Sequence, residues 1–205
     1  MNLNLSNSGG SGNYIRFSPQ ANAWTKKDEF GNDKEFKFPL SVFDHENVQT
    51  GWLLIATGQY EFLPDNSLGK KGAQPSAEHK RGFKVSFYSK DLDGVVEYSA
   101  NGAGANMGLE ELWVKVQAEA ADNAGKLPVL EYKGSRPEKV GKGTTRVPEF
   151  DVVKWVARPA AMQDGAAAEP KMSAPATIAK PAPTPVAKPA PSKPAASFDD
   201  DEMFR

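Results

Sequence analysis

Cysteine is absent from the 205 residues. That excludes a disulfide framework, thiolate metal sites and cysteine nucleophiles. Histidine occurs only as His45 and His79, too little material for a histidine-rich metal site. No window approaches the roughly 20 apolar residues needed to cross a bilayer. Residues 1–13 are Asn/Ser/Gly-rich and lack the basic and apolar regions of a secretory signal. The expectation is a soluble, cytoplasmic protein without membrane contact. An excess of one charge is missing too: 25 Lys and Arg face 26 Asp and Glu, for a net charge of −1. This balance speaks against a uniformly basic nucleic-acid coat and against an acidic solvating chain. The apolar fraction is 39 %, low for a globular domain, beside 10 % aromatics. A real core diluted by a non-folding segment fits both values.

The diluting segment begins near Arg158. Of the 38 residues from Pro159 to Ala196, 22 are Pro or Ala and none is aromatic. Repeated Ala-Pro and Lys-Pro steps fix φ and remove amide donors, so helix and sheet ladders both fail there. A disordered linker over 159–197 with polyproline character is expected. It ends in an acidic-aromatic tip, Phe198, Asp199, Asp200, Asp201, Glu202, Met203, Phe204 and Arg205. Of the 20 aromatic residues, 18 precede residue 159, which leaves one folded domain over 14–158 behind a flexible 1–13.

Within that domain Tyr14–Phe17 alternates as a strand, and Trp24–Lys27 and Lys34–Phe38 flank a turn. Strand character continues from Phe36 to Phe43, and Gly51–Phe62 is one long strand bent at Gly58. After a polar loop, Phe83, Val85 and Phe87 alternate with polar neighbours, and Val95–Tyr98 pairs back after Asp93-Gly94. Leu109, Leu112, Trp113, Val116 and Ala120 form one helical stripe, with Asn106 as N-cap and a stop at Asn123 and Gly125. Leu127–Lys133 and Glu149–Ala157 complete the set. Strands, one helix, then two strands is the order of a five-stranded Greek-key barrel of the OB-fold type, here with extra N-terminal strands. An α+β sandwich and a jelly-roll-like domain have compatible orders.

Catalytic constellations are thin. Asp44-His45-Glu46 has a turn composition, His79 lies among charges in a loop and reads as exposed, and Asp93-Gly94 is a turn pair. Gly102, Gly104 and Gly108 lack the Gly-Lys-Ser/Thr ending of a phosphate loop and read as a flexible connection. No nucleophile elbow is present. No catalytic residue, metal or cofactor is expected, and the chain does not read as an enzyme.

Binding is better supported. Residues 66–90 carry Lys70, Lys71, Lys80, Arg81, Lys84 and Lys90 against Glu78, a net +5. Residues 133–146 carry Lys133, Arg136, Lys139, Lys142 and Arg146 against Glu138, a net +4. The second stretch falls between the last two strands, where an OB barrel lines its ligand groove. Such cations displace phosphate counterions. Stacking platforms would be Tyr14 beside Arg16, Trp24 before Lys26, Tyr60, and Tyr88 in register with Lys84. Trp52, Phe83, Phe87, Trp113 and Phe150 read as core, and the side of Trp155 is open.

A barrel-like domain, basic loops, a Pro/Ala linker and an acidic-aromatic tip resemble bacterial and phage single-stranded DNA-binding proteins. The segment from Val147 to Pro159 after Leu127–Tyr132, and the opening from Asn7 to Phe17, are similar to phage-encoded members. The resemblance implies a non-enzymatic protein that coats single-stranded DNA without sequence preference during replication, recombination or repair. It implies that Phe198, Asp199, Asp200, Asp201, Glu202, Met203 and Phe204 recruit replication or recombination proteins, or compete with DNA for the groove. The chain departs from the family at Arg205, which follows Phe204 where family tips end in Phe. It also implies a bacterial host cytoplasm and leaves a homo-oligomer open. The competing reading from the residues is a protein-interaction adaptor of phage origin, with the tip as a short linear motif.

Overall fold

The computed structural model describes residues 13–56 and 59–163; the expected linker beyond residue 163 and the tip lie outside the described residues. The protein is mainly β. Ten strands occur among those residues: β1 (Tyr14–Ser18), β2 (Ala23–Lys27), β3 (Asp33–Phe36), β4 (Ser41–Phe43) and β5 (Gln49–Ala56). They continue as β6 (Gln59–Pro64), β7 (Lys80–Ser89), β8 (Gly94–Ala100), β9 (Lys126–Val140) and β10 (Gly143–Ala157). One long helix, α1 (Ala103–Ala120), separates β8 from β9.

The backbone order across the sheet is β10-β9-β4-β7-β8-β1-β2-β3, with β5 pairing β7 and β6. With β4 and β5 taken as one interrupted strand, β10-β9-β4-β7-β8 is the neighbour order expected of an OB-like barrel, helix included. The barrel is open. No ladder joins β8 to β10 among the described residues; β8 instead pairs in parallel with β1, Ile15 opposite Tyr98, and the β1-β2-β3 meander extends that edge. The sheet is thus a curled half-barrel.

Alternation explains the curl. Phe83, Val85 and Phe87 of β7 and Val96 and Tyr98 of β8 point inward and are buried, while Lys84, Ser86 and Glu97 face outward. Trp24 is the hub of the interior, its ring 5.2 Å from Phe17, 4.8 Å from Phe38 and 5.0 Å from Tyr98. Such tilted and edge contacts add roughly 0.5–1.5 kcal/mol each beyond burial. The expected helical stripe closes the core: Leu112 and Val116 are buried, and Leu109 and Trp113 pack partly against it.

Several expected boundaries move. The long strand over Gly51–Phe62 is a hairpin, β5 and β6, with Ile55 opposite Tyr60. The run through Phe36–Phe43 breaks between β3 and β4 around Pro39, which supplies no ladder donor. The helix begins six residues before Leu109, capped by the backbone of Gly102; Asn106 lies inside it and donates from Nδ2 to the Arg81 carbonyl at 3.1 Å. Gly104 and Gly108 form no flexible connection. A Cβ on Gly104 would stand 2.2 Å from the Arg146 carbonyl oxygen, and one on Gly108 2.6 Å from that of Pro148. They let α1 sit directly on β10.

The folded region also runs past Arg158. Met162 is buried against Val42, Leu127 and Val129 on the outer face of the sheet. Arg158 makes a bidentate pair with Asp44, 2.8 Å for each nitrogen, and reaches Glu46 at 2.7 Å. The turn at Asp44–Asn47 thereby ties to the end of β10, and His45 sits edge-on to Trp155 at 5.4 Å.

Candidate nucleic-acid interface

Strand register assembles the outer face. Tyr14 of β1 stands beside Glu97 of β8, Ser86 of β7 pairs with Glu97, and Lys84 pairs with Ser99. Because side chains alternate, Tyr14, Glu97, Ser99, Lys84 and Ser86 share one face. The Lys84 ammonium meets Glu97 at 2.5 Å, and the Ser99 hydroxyl donates to the other Glu97 oxygen at 3.1 Å. From the β5–β6 hairpin the Tyr60 hydroxyl reaches Ser99 at 3.0 Å, although the Tyr60 side chain is largely exposed. At the other end the Arg16 guanidinium lies 5.2 Å from the Tyr14 ring centre. One strip therefore runs from Arg16 and Tyr14 through Glu97 and Lys84 to Ser99 and Tyr60.

Beside it, residues 65–79 form the loop between β6 and β7, and Asp65 anchors it. Its side chain, 2 % exposed, accepts two hydrogen bonds from Arg81, one from the Thr50 hydroxyl and one from the Gly72 amide. The Arg81 hydrogen bonds hold the Asp65 carboxyl well below the usual carboxylate range, against desolvation. Trp52, expected in the core, is buried at 7 % exposure, with Lys71 5.0 Å and Arg81 5.4 Å from its ring and its Nε1 donating to the Gly72 carbonyl at 2.9 Å. The pairing of Trp52 with Arg81 across β5 and β7 brings that cation over the ring, and only the ladder reveals it. His79, expected exposed, is buried, with Nδ1 at 2.8 Å from the Ser76 hydroxyl and Nε2 at 3.3 Å from Glu61.

The stretch 133–146 is a regular two-stranded arm rather than a loop. β9 and β10 remain paired out to Val140 and Gly143, so Gly141 and Lys142 alone make the turn. Its base reaches the β1–β2 turn, because the Ser135 hydroxyl donates to the side-chain oxygen Oδ1 of Asn22. The start of α1 touches both basic segments, through Arg81 at Asn106 and through Arg146 at Gly104.

The expected cations divide into two groups. Lys26 pairs with Asp93 at 2.6 Å, Arg81 with Asp65, Lys84 with Glu97, and Lys133 with Glu131 at 3.4 Å. Arg136 is the most committed, reaching Glu111 at 2.6 Å, Glu149 at 3.3 Å and Glu138 at 3.7 Å. Hydrogen bonds donated to Glu111 hold its guanidinium above the usual arginine range, while the Glu111 carboxyl is lowered by the same contact. Arg16, Lys70, Lys71, Lys80, Lys139, Lys142 and Arg146 have no carboxylate partner among the described residues. These remain for an external anion.

Two expected stacking residues do not stand on the strip. Trp24 is 2 % exposed at the centre of the core, because Phe17 and Phe36 flank it in register on the inner face. Tyr88 shares the outer face with Lys84, but the segment around Met162 covers that end, and Tyr88 packs into the small cluster there. Tyr14, half-buried, and Tyr60, largely exposed, remain on the strip. Phe198, Asp199, Asp200, Asp201, Glu202, Met203 and Phe204 lie outside the described residues.

Among the described residues no group of His, Asp and Glu is placed to hold a metal, and no helix is long and apolar enough to cross a membrane. Comparison of the chain with family models, with curated proteins and with solved structures gives no match.

Proposed function

We propose that the protein is a non-enzymatic single-stranded DNA-binding protein of the OB-like type. The observation that carries the reading is the joint placement of an aromatic strip and free cations. Tyr14 stands beside Glu97 and the Tyr60 hydroxyl meets Ser99 on the outer face of β8, and cations without carboxylate partners lie in the β6–β7 loop and the β9–β10 arm. Single strands need both parts: flat rings for bases of any identity, and cations that follow the backbone. The centre of the strip is internally neutral at Lys84 and Glu97, so bases rather than phosphates belong there. Phosphates belong to Lys139, Lys142 and Arg146 on one side and to Lys70, Lys71 and Lys80 on the other. In this reading the protein covers exposed strands in replication, recombination or repair. The acidic tip at 198–204 recruits partner proteins or competes for the cations.

Titration of the intrinsic fluorescence with poly(dT) tests it. The expected result is quenching with a salt-sensitive complex whose log affinity falls by about 0.7 per phosphate contacted for each log unit of salt. Absence of quenching and of a salt-sensitive complex at micromolar protein would sink the proposal. Equal affinity for duplex and single strand would move the reading to a protein-interaction adaptor.

A further inference from the structure

The strip carries one negative side chain where a polyanion is meant to lie. Glu97 stands beside Tyr14 of β1 and two residues before Ser99, on the outer face of β8. A carboxylate there repels phosphates, and the pair with Lys84 cancels its charge without using up its hydrogen-bonding capacity. An ionised carboxylate has about four acceptor positions. Lys84 takes one at 2.5 Å, and the Ser99 hydroxyl takes one on the other oxygen at 3.1 Å. With Ser99 donating to Glu97, the Tyr60 hydroxyl, 3.0 Å away, donates to Ser99 and holds the group in place. The remaining positions face solvent, because the Glu97 side chain is 32 % exposed and that of Lys84 37 %. A base stacked on Tyr14 brings its edge to this pair on the neighbouring strand, about 4.8 Å away. An acceptor covered without a donor costs free energy, so the identity of the covering base matters. Thymine offers one ring N–H, and adenine and cytosine one amino group each. Guanine offers two parallel donors, N1–H and the 2-amino group, spaced like an arginine fork, with the O6 acceptor beside them for an ammonium.

We propose that Glu97 makes the strip favour guanine at the position beside Tyr14, with N1–H and the 2-amino group donating to its carboxylate and Lys84 donating to O6. The carboxylate is then a base-reading group at one place in a site that elsewhere takes any base. The inference rests on the single-strand reading and adds a preferred base to it.

The test compares three DNA strands of about eight nucleotides, close to one site: all thymine, thymine alternating with guanine, and thymine alternating with inosine. Inosine is guanine without the 2-amino group. Fluorescence titration of the full chain in lithium buffer, which disfavours guanine quartets, gives the three affinities. The guanine strand should bind about fivefold tighter than the thymine strand, the low end for a bidentate base contact because the carboxylate is partly exposed. The inosine strand should lose most of that advantage, a comparison that needs no variant. Glu97→Gln leaves one acceptor and sets its own amide against the guanine donors. Its guanine-to-thymine ratio should fall close to unity, even as the released Lys84 tightens every strand. Equal affinity of the native chain for all three strands overturns the proposal and leaves the single-strand reading standing. Inosine binding as tightly as guanine overturns the two-donor contact, and a guanine advantage that survives in Glu97→Gln overturns the role of the carboxylate. If no strand binds, the single-strand reading falls and the base preference falls with it.

Discussion

Lys139 and Lys142 sit at the tip of the β9–β10 arm, exposed and without carboxylate partners among the described residues, so their double replacement by Gln isolates the arm's contribution. Each cation that neutralises a phosphate of a single strand contributes about 0.7 to the slope of log affinity against log salt. The double variant should therefore have a slope shallower by about 1.4. Between about 50 and 200 mM salt, a fourfold change, the native protein should lose roughly sevenfold more affinity than the variant. Neither side chain packs against the core, so thermal stability should stay within surface scatter, about 0.5 kcal/mol. The assay is fluorescence titration with poly(dT) across that salt range. Lys154→Gln is the control: it removes an exposed cation from the end of β10 remote from the arm and should leave the slope unchanged. An unchanged slope in the double variant refutes the assignment of phosphates to the arm. A fall of the same size in the control would show that only overall charge is sensed.

Three further outcomes follow from the same geometry. Glu97→Gln releases Lys84 from its partner on the strip and should tighten poly(dT) binding severalfold with a steeper salt slope, by about 0.7; weaker binding would refute the internally neutral strip. Gly108→Ala gains about 1 kcal/mol of helix propensity but drives a Cβ to 2.6 Å from a backbone carbonyl that cannot yield, and overpacking costs about 1–3 kcal/mol, so urea denaturation should show net loss rather than gain. Asp65→Ala removes the anchor of the 65–79 loop and should cost about 3 kcal/mol near neutrality, since Arg81 loses its only carboxylate partner among the described residues. The folded Asp65 carboxyl titrates below its unfolded value, so its contribution is complete above about pH 4 and is lost as pH falls through the folded value. Denaturation at about pH 2 should thus bring native and variant stabilities closer than at about pH 7.

The strand order and the helix stripe were legible because burial writes a period into the sequence. Phe83, Val85 and Phe87 announce period two, and Leu112 and Val116 announce period 3.6. The helix start was hidden because Gly102, Gly104 and Gly108 weaken helix propensity; their reason lies in the carbonyls of Arg146 and Pro148, some 40 residues away. The arm was hidden similarly, since Gly134, Pro137 and Gly141 read as loop until the ladder between β9 and β10 pairs them. Charge was legible by segment but not by partner. Arg136 counted toward a basic patch, although Glu111 of α1, 25 residues upstream, takes both of its terminal nitrogens. Trp24 next to two lysines looked like a surface ring, yet in-register Phe17 and Phe36 place it inside.

Partner geometry also explains how a chain of net charge −1 can present cations without carboxylate partners among the described residues. Carboxylates are spent where they hold architecture: Asp65 on the loop, Asp44 on the end of β10, Glu111 on the base of the arm. Each consumes a cation close to the folded body. Cations without a carboxylate partner among the described residues include those at the projecting ends, Lys139 and Lys142 at the arm tip and Lys70 and Lys71 in the loop. Exposed ion pairs hold their partners by no more than about 1 kcal/mol, so a strand could also displace the pair at Lys84 and Glu97. The semi-buried pairs at Asp65 and Asp44 it could not. Overall neutrality therefore says little about binding here. What decides it is which cations the fold has already used.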